Sequence, residues 1–153
     1  MSYKWKCSRC GTEDSSLRYA SGKMPRCKDC QRFYNVSVNS KKGRKYGRNP
    51  SLRFNETEFL AWLRARSRIC HFCGISEVDL EAQNIRSSIG LTVAALGIDR
   101  LDNDDDYTLK NIALCCYACN KAKGNVFSTE EMRIIGPAIG DVWKLRATRR
   151  HSA

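Results

Sequence analysis

Eight of the nine cysteines form four Cys-x-x-Cys pairs, the spacing found in zinc sites where four thiolates surround one ion. Sixteen residues separate the first two pairs, which is typical of a zinc ribbon or knuckle, and 42 residues separate the last two. Four thiolates leave zinc no open position, so both sites should be structural, and the small N-terminal unit should need its metal to fold. The predicted ligands are Cys7, Cys10, Cys27 and Cys30 for the first zinc, and Cys70, Cys73, Cys116 and Cys119 for the second.

The alternative use of these cysteines is a set of secreted disulfides. That interpretation needs an export signal and usually an even number of cysteines, and the N-terminus has no apolar signal region. We therefore expect a cytoplasmic protein, and no apolar run is long enough to predict a membrane span. Cys115 is the remaining cysteine; the spacing favours its neighbour Cys116 as the ligand, which leaves Cys115 as a small apolar residue.

A second group of residues, between the last two cysteine pairs, offers oxygen rather than sulfur ligands. Asp99 ends a predicted strand, Asn111 begins another, and Asn120 lies on the helix that follows. Carboxylate and amide oxygens suit a hard cation such as Mg²⁺, which keeps positions for water and phosphate oxygens. Two strands and a helix that carry an Asp and an Asn in this order predict a one-metal phosphodiesterase site.

Several elements must hold these residues in place. The 42-residue gap requires an inserted hairpin, with strands over 93–98 and 111–115. A short helix is predicted over 117–123, with Gly124 ending it. The remaining predictions are a helix capped by Asn55 that runs to Arg68, a helix opened by the capping box Ser128–Glu131, a break at Gly136–Pro137, and a last helix toward Trp143.

The arrangement resembles the HNH, or ββα-metal, endonuclease family over nearly the whole chain. The resemblance is carried by the paired Cys-x-x-Cys modules, Phe59-Leu-Ala-Trp62, Cys73-Gly-Ile-Ser-Glu77, Leu96-Gly-Ile-Asp-Arg100, Tyr107, Asn111, Cys119-Asn120 and Glu131-Met132. It implies that Asp99 and Asn120 hold the catalytic metal, that Asn111 braces the loop between the strands, and that the second zinc pins the ββα unit. The implied fold is a small α+β protein, stabilised by zinc, with a ββα-metal core flanked by two four-cysteine modules and short helices.

The sequence departs from the family at the residue after the ligand Asp. Most members carry a histidine there, which deprotonates the attacking water, whereas this chain has Arg100. Some relatives share Tyr107, so we predict that Tyr107 activates the water and that Arg100 stabilises its phenolate or the phosphate. The alternative is a packed Tyr107 ring and an Arg100 ion pair. Asp106 also stands where relatives often have Gly, which leaves the backbone geometry of that loop open.

The positive charge is concentrated in the first half of the chain. Of the net charge of +11, residues 1–70 carry +12 and residues 71–153 carry −1. This asymmetry favours a nucleic-acid partner over a merely solvated surface, and the basic stretch 41–53 is predicted to be an arm that orders on DNA rather than a disordered linker. The predicted DNA contacts are Lys42, Arg44, Lys45, Arg48, Arg53, Lys121 and Lys123, although the two helical lysines could equally be ordinary exposed side chains.

Together these features predict a Mg²⁺-dependent, sequence-specific DNA endonuclease of the restriction type. As family members do, it would leave 5′-phosphate and 3′-hydroxyl ends. Since each chain carries one site, cutting both strands of double-stranded DNA suggests a homodimer on a palindrome. The alternatives are a monomeric phage homing or nicking enzyme and a non-catalytic zinc-finger DNA-binding protein. The predicted units are a zinc module (1–40), a basic arm (41–54), the nuclease core (55–127), and C-terminal helices with a basic tail (128–153).

Overall fold

The computed structural model describes residues 4–42 and 50–152, apart from the side chain of His151. It confirms the expected small α+β class. None of the helices described is both long and apolar enough to cross a membrane. The elements are α1 (Lys28–Lys41), α2 (Glu56–Arg64), α3 (Glu77–Ala82), β1 (Gly97–Arg100), β2 (Ile112–Cys115), α4 (Tyr117–Lys123) and α5 (Thr129–His151), with a short 3-10 helix at Ser15–Leu17.

The helix boundaries follow local capping chemistry. Asn55 caps α2 in a full capping box with Glu58, although the helix ends at Arg64 rather than at the predicted Arg68. Cys116 caps α4, and Gly124, with a positive φ of 47°, follows its last residue as predicted. Cys116, a predicted zinc ligand, therefore also serves as a helix cap.

The two strands form one antiparallel hairpin, in which Asp99 pairs with Ala113 and Arg100 with Ile112. The predicted strand over 93–98 was misplaced, because the paired segment starts only at Gly97 and continues through Arg100. The backbone N–H of Val93 instead donates to the carbonyl of Ile85. The chain before β1 thus belongs to an irregular loop, and Asp99 lies inside the strand.

The predicted break at Gly136–Pro137 was wrong, because α5 is one continuous helix through Pro137. The two glycines of α5 do not break the helix; they allow it to pack closely against a neighbouring turn. A Cβ atom on Gly136 would lie 2.4 Å from the carbonyl oxygen of Phe72, and one on Gly140 would lie 2.6 Å from that of Cys73. Glycine is needed at both positions because α5 packs directly on the backbone of the Cys70–Cys73 turn.

Helix α1 was not predicted, and it fixes the N-terminal module to the core. Arg32 is 3% exposed and pairs with Asp29 and Glu77, while its Nε donates to the carbonyl of Leu96 at 2.7 Å. The N–H of Leu96 in turn donates to Glu77 at 2.9 Å. Both polar backbone groups of Leu96, the residue before β1, are therefore held by this buried ion network.

The hydrophobic core lies between α2, the hairpin and α5. A much smaller cluster surrounds the cysteines of the N-terminal module. The buried core residues are Val36, Phe54, Phe59, Trp62, Leu63, Cys70, Phe72, Ile75, Leu80, Leu96, Ile112, Leu114, Cys115, Cys116, Cys119, Met132 and Trp143.

Candidate active site and zinc centres

The eight predicted zinc ligands form two separate groups, and within each group the sulfur atoms lie within 4.8 Å of one another. The Cys10 and Cys27 sulfurs are 3.8 Å apart, and those of Cys73 and Cys116 are 3.7 Å apart. A tetrahedral ion with bonds of about 2.3 Å to sulfur has ligand edges of about 3.8 Å. The geometry of both groups therefore fits Zn²⁺.

Backbone N–H groups point at the sulfurs, as expected where thiolates are stabilised. Cys7 Sγ accepts from the N–H of Cys27 at 3.2 Å and from that of Arg9 at 3.4 Å. Burial alone would raise the pKa of the Cys7 thiol, but these donors and Cys10 outweigh it and lower the pKa to about 6. In the second group, Cys70 accepts from the N–H of Cys116 at 3.2 Å.

The Asp99 carboxylate is the most distinctive group of the hairpin. Its side chain is 15% exposed, and its buried Oδ2 atom forms an ion pair with Lys123 Nζ at 3.3 Å. Burial raises the pKa of Asp99, and the neighbouring Lys123 partly opposes this shift. The Lys123 ammonium balances the charge of this buried carboxylate, and the role of Asp99 as a metal ligand stays a prediction.

Lys123 lies deep inside this site, where the sequence predicted a contact with DNA at the surface. Its side chain is fully buried, and its Nζ is 3.3 Å from Asp99 Oδ2, 2.8 Å from the carbonyl of Arg100 and 2.6 Å from Asn103 Oδ1. Neither an external phosphate contact nor an ordinary exposed lysine describes this residue. A signal was present, because Lys123 is four residues after the buried Cys119 and so shares its helix face.

Asn120 lies three residues before Lys123 on α4, so the two share one side of the helix. The Asn120 side chain is exposed, and it lines a cavity of about 280 Å³ together with Gly97 of β1 and Cys115 of β2. The helix face that carries Asn120 therefore looks toward the strand that carries Asp99. Asp99 is not among the residues that line this cavity, so a metal shared by Asp99 and Asn120 stays a prediction.

Asn111 organises the loop between the strands. Its Oδ1 accepts from the N–H of Asp102 at 2.8 Å, and its Nδ2 donates to the carbonyls of Asp102 and Asp106 at 3.0 and 2.9 Å. The amide thus bridges both ends of the loop. These contacts are those of a loop brace.

Arg100, which follows Asp99 in β1, lies beside the ring of Tyr107. The guanidinium carbon of Arg100 lies 5.1 Å from the centre of the Tyr107 ring, and its Nη1 donates to the carbonyl of Asp105 at 2.7 Å. Asp106, at the position where relatives often have Gly, accepts from the N–H of Ser51 and from Arg53 Nε, both at 2.9 Å. The segment before α2 is therefore tied to the loop that presents Tyr107.

The predicted DNA contacts have different surroundings. Arg53 pairs with Asp106 but remains 58% exposed. Lys42 and Lys121 are exposed, and Lys121 Nζ lies 5.7 Å from the Tyr117 ring centre. Arg44, Lys45 and Arg48 lie outside the described residues.

A solved structure of the rare-cutting HNH restriction endonuclease PacI matches the chain with a TM-score of 0.81 and 34% sequence identity, over 93% of this chain and 97% of that one. The chain belongs to the HNH endonuclease family. No family model and no curated protein matches it significantly. The family resemblance expected from the motifs is thereby confirmed, and the match to a restriction endonuclease supports a nuclease function.

Four of the predicted catalytic residues lie in the hairpin, in its loop or on the helix that follows it. They are Asp99, Arg100, Tyr107 and Asn120. Lys123 connects the parts, since its ammonium touches both the Asp99 carboxylate and the carbonyl of Arg100. This central lysine is the residue that sequence reasoning placed wrongly.

Proposed function

We propose that the protein is a Mg²⁺-dependent, sequence-specific DNA endonuclease of the restriction type, which leaves 5′-phosphate and 3′-hydroxyl ends. The observation that carries this proposal is the buried carboxylate of Asp99, paired with Lys123 and set in a hairpin and helix that match an HNH restriction endonuclease.

Asp99 and Asn120 would hold the Mg²⁺ through one carboxylate and one amide oxygen. When bound, the ion supplies charge stabilisation to the phosphate and to the leaving oxygen. Lys123 keeps the carbonyl of Arg100 and the side chain of Asn103 in fixed positions, so the end of β1 cannot swing away from α4. The two zinc sites would be structural, since four thiolates complete each coordination shell.

Tyr107 would take the proton from the attacking water. A free tyrosine has a pKa near 10, so holding it as phenolate at pH 7 costs about 4 kcal/mol. The guanidinium of Arg100, 5.1 Å from the ring centre, favours the anion and offsets part of that cost. Arg100 is itself fixed by its hydrogen bond to Asp105.

The enzyme would act on double-stranded DNA as a homodimer. The net charge of +11 favours a polyanionic partner, and Lys42, Arg53 and Lys121 are exposed and available to phosphates. Each chain carries one site, so cutting both strands of a palindrome needs two copies related by a two-fold axis.

Digestion of supercoiled plasmid and phage DNA with Mg²⁺, followed by sequencing of the ends, tests the proposal. We expect linear products with 5′-phosphates at one recurring palindromic site, and we expect Asp99→Ala to abolish them. Products with a single nicked strand would favour a monomeric nicking enzyme instead. No cleavage of mixed DNA by the zinc-loaded protein at any divalent-ion concentration would refute the nuclease function.

Tyr107→Phe tests the proton acceptor separately. Loss of a general base lowers the rate by about 10²–10⁴-fold, and DNA affinity should stay unchanged. Tyr34→Phe is the matched control, because Tyr34 lies on α1 and is 45% exposed. Near-normal cleavage by Tyr107→Phe would remove Tyr107 from the chemistry.

A further inference from the structure

A cleft of about 500 Å³ lies along the edge of β2 that does not pair with β1. At this edge the backbone N–H of His71 donates to the carbonyl of Leu114 at 2.8 Å. Three basic side chains line the cleft, from Arg66, His71 and Lys110, and none of its lining residues is acidic. The other lining residues are Trp62, Ser67, Ile69, Leu101, Leu109, Ile112, Ala113 and Leu114.

The guanidinium of Arg66 is held in a fixed orientation by Trp62. Its guanidinium carbon lies 4.2 Å from the centre of the Trp62 ring, and its Nη1 donates to the carbonyl of Trp62 at 2.8 Å. Within the described part of the chain, no carboxylate pairs with Arg66 or Lys110. A stacked guanidinium loses little conformational entropy when it binds a phosphate, because its orientation is already fixed.

Trp62 forms an aromatic wall of the cleft. It is 8% exposed, and the guanidinium of Arg66 is stacked on its ring. Its Nε1 atom is itself buried, so Trp62 acts in the cleft through its ring, which fixes the orientation of Arg66.

The cleft also lies close to the proposed site of chemistry. Ala113, one of its lining residues, is the direct partner of Asp99 in the hairpin. Another groove, of about 1050 Å³, has the opposite charge, since its lining includes Asp102, Asp104 and Glu130 but a single cation, Arg133. Phosphates are repelled by that groove and attracted to the basic one.

We propose that this cleft binds the sugar-phosphate backbone of the DNA beside the scissile bond, with Arg66 and Lys110 contacting separate phosphates. The assignment rests on the proposed nuclease function. Contacts of this kind fix the position of the duplex and contribute equally for all sequences. Each releases condensed counter-ions, so each contributes about 0.9 to the slope of log K against log salt for duplex DNA.

The test measures binding of a fluorescent 30-base-pair duplex by anisotropy, without Mg²⁺, over a series of salt concentrations. We expect Arg66→Ala and Lys110→Ala each to reduce the salt slope by about 0.9, and the double variant to reduce it by about 1.8. Arg64→Ala is the matched control, because Arg64, the last residue of α2 and two residues before Arg66, is exposed but does not line the cleft. Arg66→Lys should keep the wild-type slope, which separates lost charge from lost folding.

Three outcomes would overturn the assignment: unchanged slopes in the two alanine variants, an equal loss in Arg64→Ala, or no DNA binding by the wild-type protein at low salt. Cleavage by the wild-type protein with unchanged slopes would refute this cleft alone. Altered slopes in a protein that never cuts would instead refute the nuclease proposal and leave the cleft as a DNA-binding site.

Discussion

Replacing Arg32 with Met should destabilise the protein strongly, because Arg32 is the centre of the buried ion network. The side chain is 3% exposed, and its loss leaves Asp29 and Glu77 short of a partner while the Leu96 carbonyl loses a donor. Burial lowers the pKa of Arg32 to about 10 while Asp29 opposes this shift, so the guanidinium is charged at neutral pH. The variant therefore removes a real cation from between two carboxylates.

The expected loss is large relative to the total stability. Removing one partner of a buried pair costs about 3–5 kcal/mol, whereas whole domains are stable by about 5–15 kcal/mol. For a chain of this size such a loss lowers Tm by about 6–20 °C. Arg68 still pairs with Asp29 at 2.7 Å, so Glu77 carries most of the uncompensated charge.

Circular dichroism melts at saturating zinc, together with urea titrations, measure this effect. Arg9→Met is the matched control, since Arg9 forms a 2.6 Å pair with Glu56 but is 61% exposed, and it should shift Tm little. Adding Glu77→Gln to Arg32→Met should recover part of the loss, because Gln removes the charge and can still accept from the Leu96 N–H. If Arg32→Met melts like Arg9→Met, the network does not hold the module to the core.

Three further predictions concern single positions. Cys116→Ser should reduce zinc content from two ions to one per chain, whereas Cys115→Ser should leave two, as measured by atomic emission. Lys123→Met should lower Tm more without Mg²⁺ than with it, because a bound cation replaces the lost ammonium beside Asp99; an equal loss in both conditions would argue against a metal at Asp99. Pro137→Ala should stabilise the protein by up to about 3 kcal/mol in urea titrations, since it restores a backbone donor inside α5, and a loss of stability would show that Pro137 has a packing role.

Features encoded by short spacings could be predicted from the sequence. The cysteine pairs, the helix caps at Asn55 and Ser128 and the end of α4 at Gly124 depend on residues within one turn of each other. Their chemistry is complete locally, so no knowledge of the tertiary structure was needed. The family motifs added the order of the hairpin and helix, which the structure reproduces.

Features decided by tertiary packing were missed. Gly136 and Pro137 carry the composition of a helix break, but the close approach of α5 to Phe72 determines that a glycine stands there. Helix α1 escaped prediction because its apolar pattern is weak and its buried face is partly ionic, with Arg32 inside. Lys123 was misplaced because its partners come from β1 and the hairpin loop, twenty or more residues away in sequence.

The link between the second zinc centre and the candidate active site follows from the shortness of α4. An isolated helix of seven residues is unstable in water, because nucleation is costly and few hydrogen bonds repay it. Cys116 caps α4 and Cys119 lies within it, so a zinc bound by both would stabilise the helix that carries Asn120 and Lys123. Helix α5 packs on the Cys73 carbonyl and so holds the Cys70–Cys73 turn, which supplies the other two ligands of this zinc centre. Structural zinc would therefore fix the distance between Asp99 and Asn120, the two proposed oxygen ligands, although it would take no part in the chemistry.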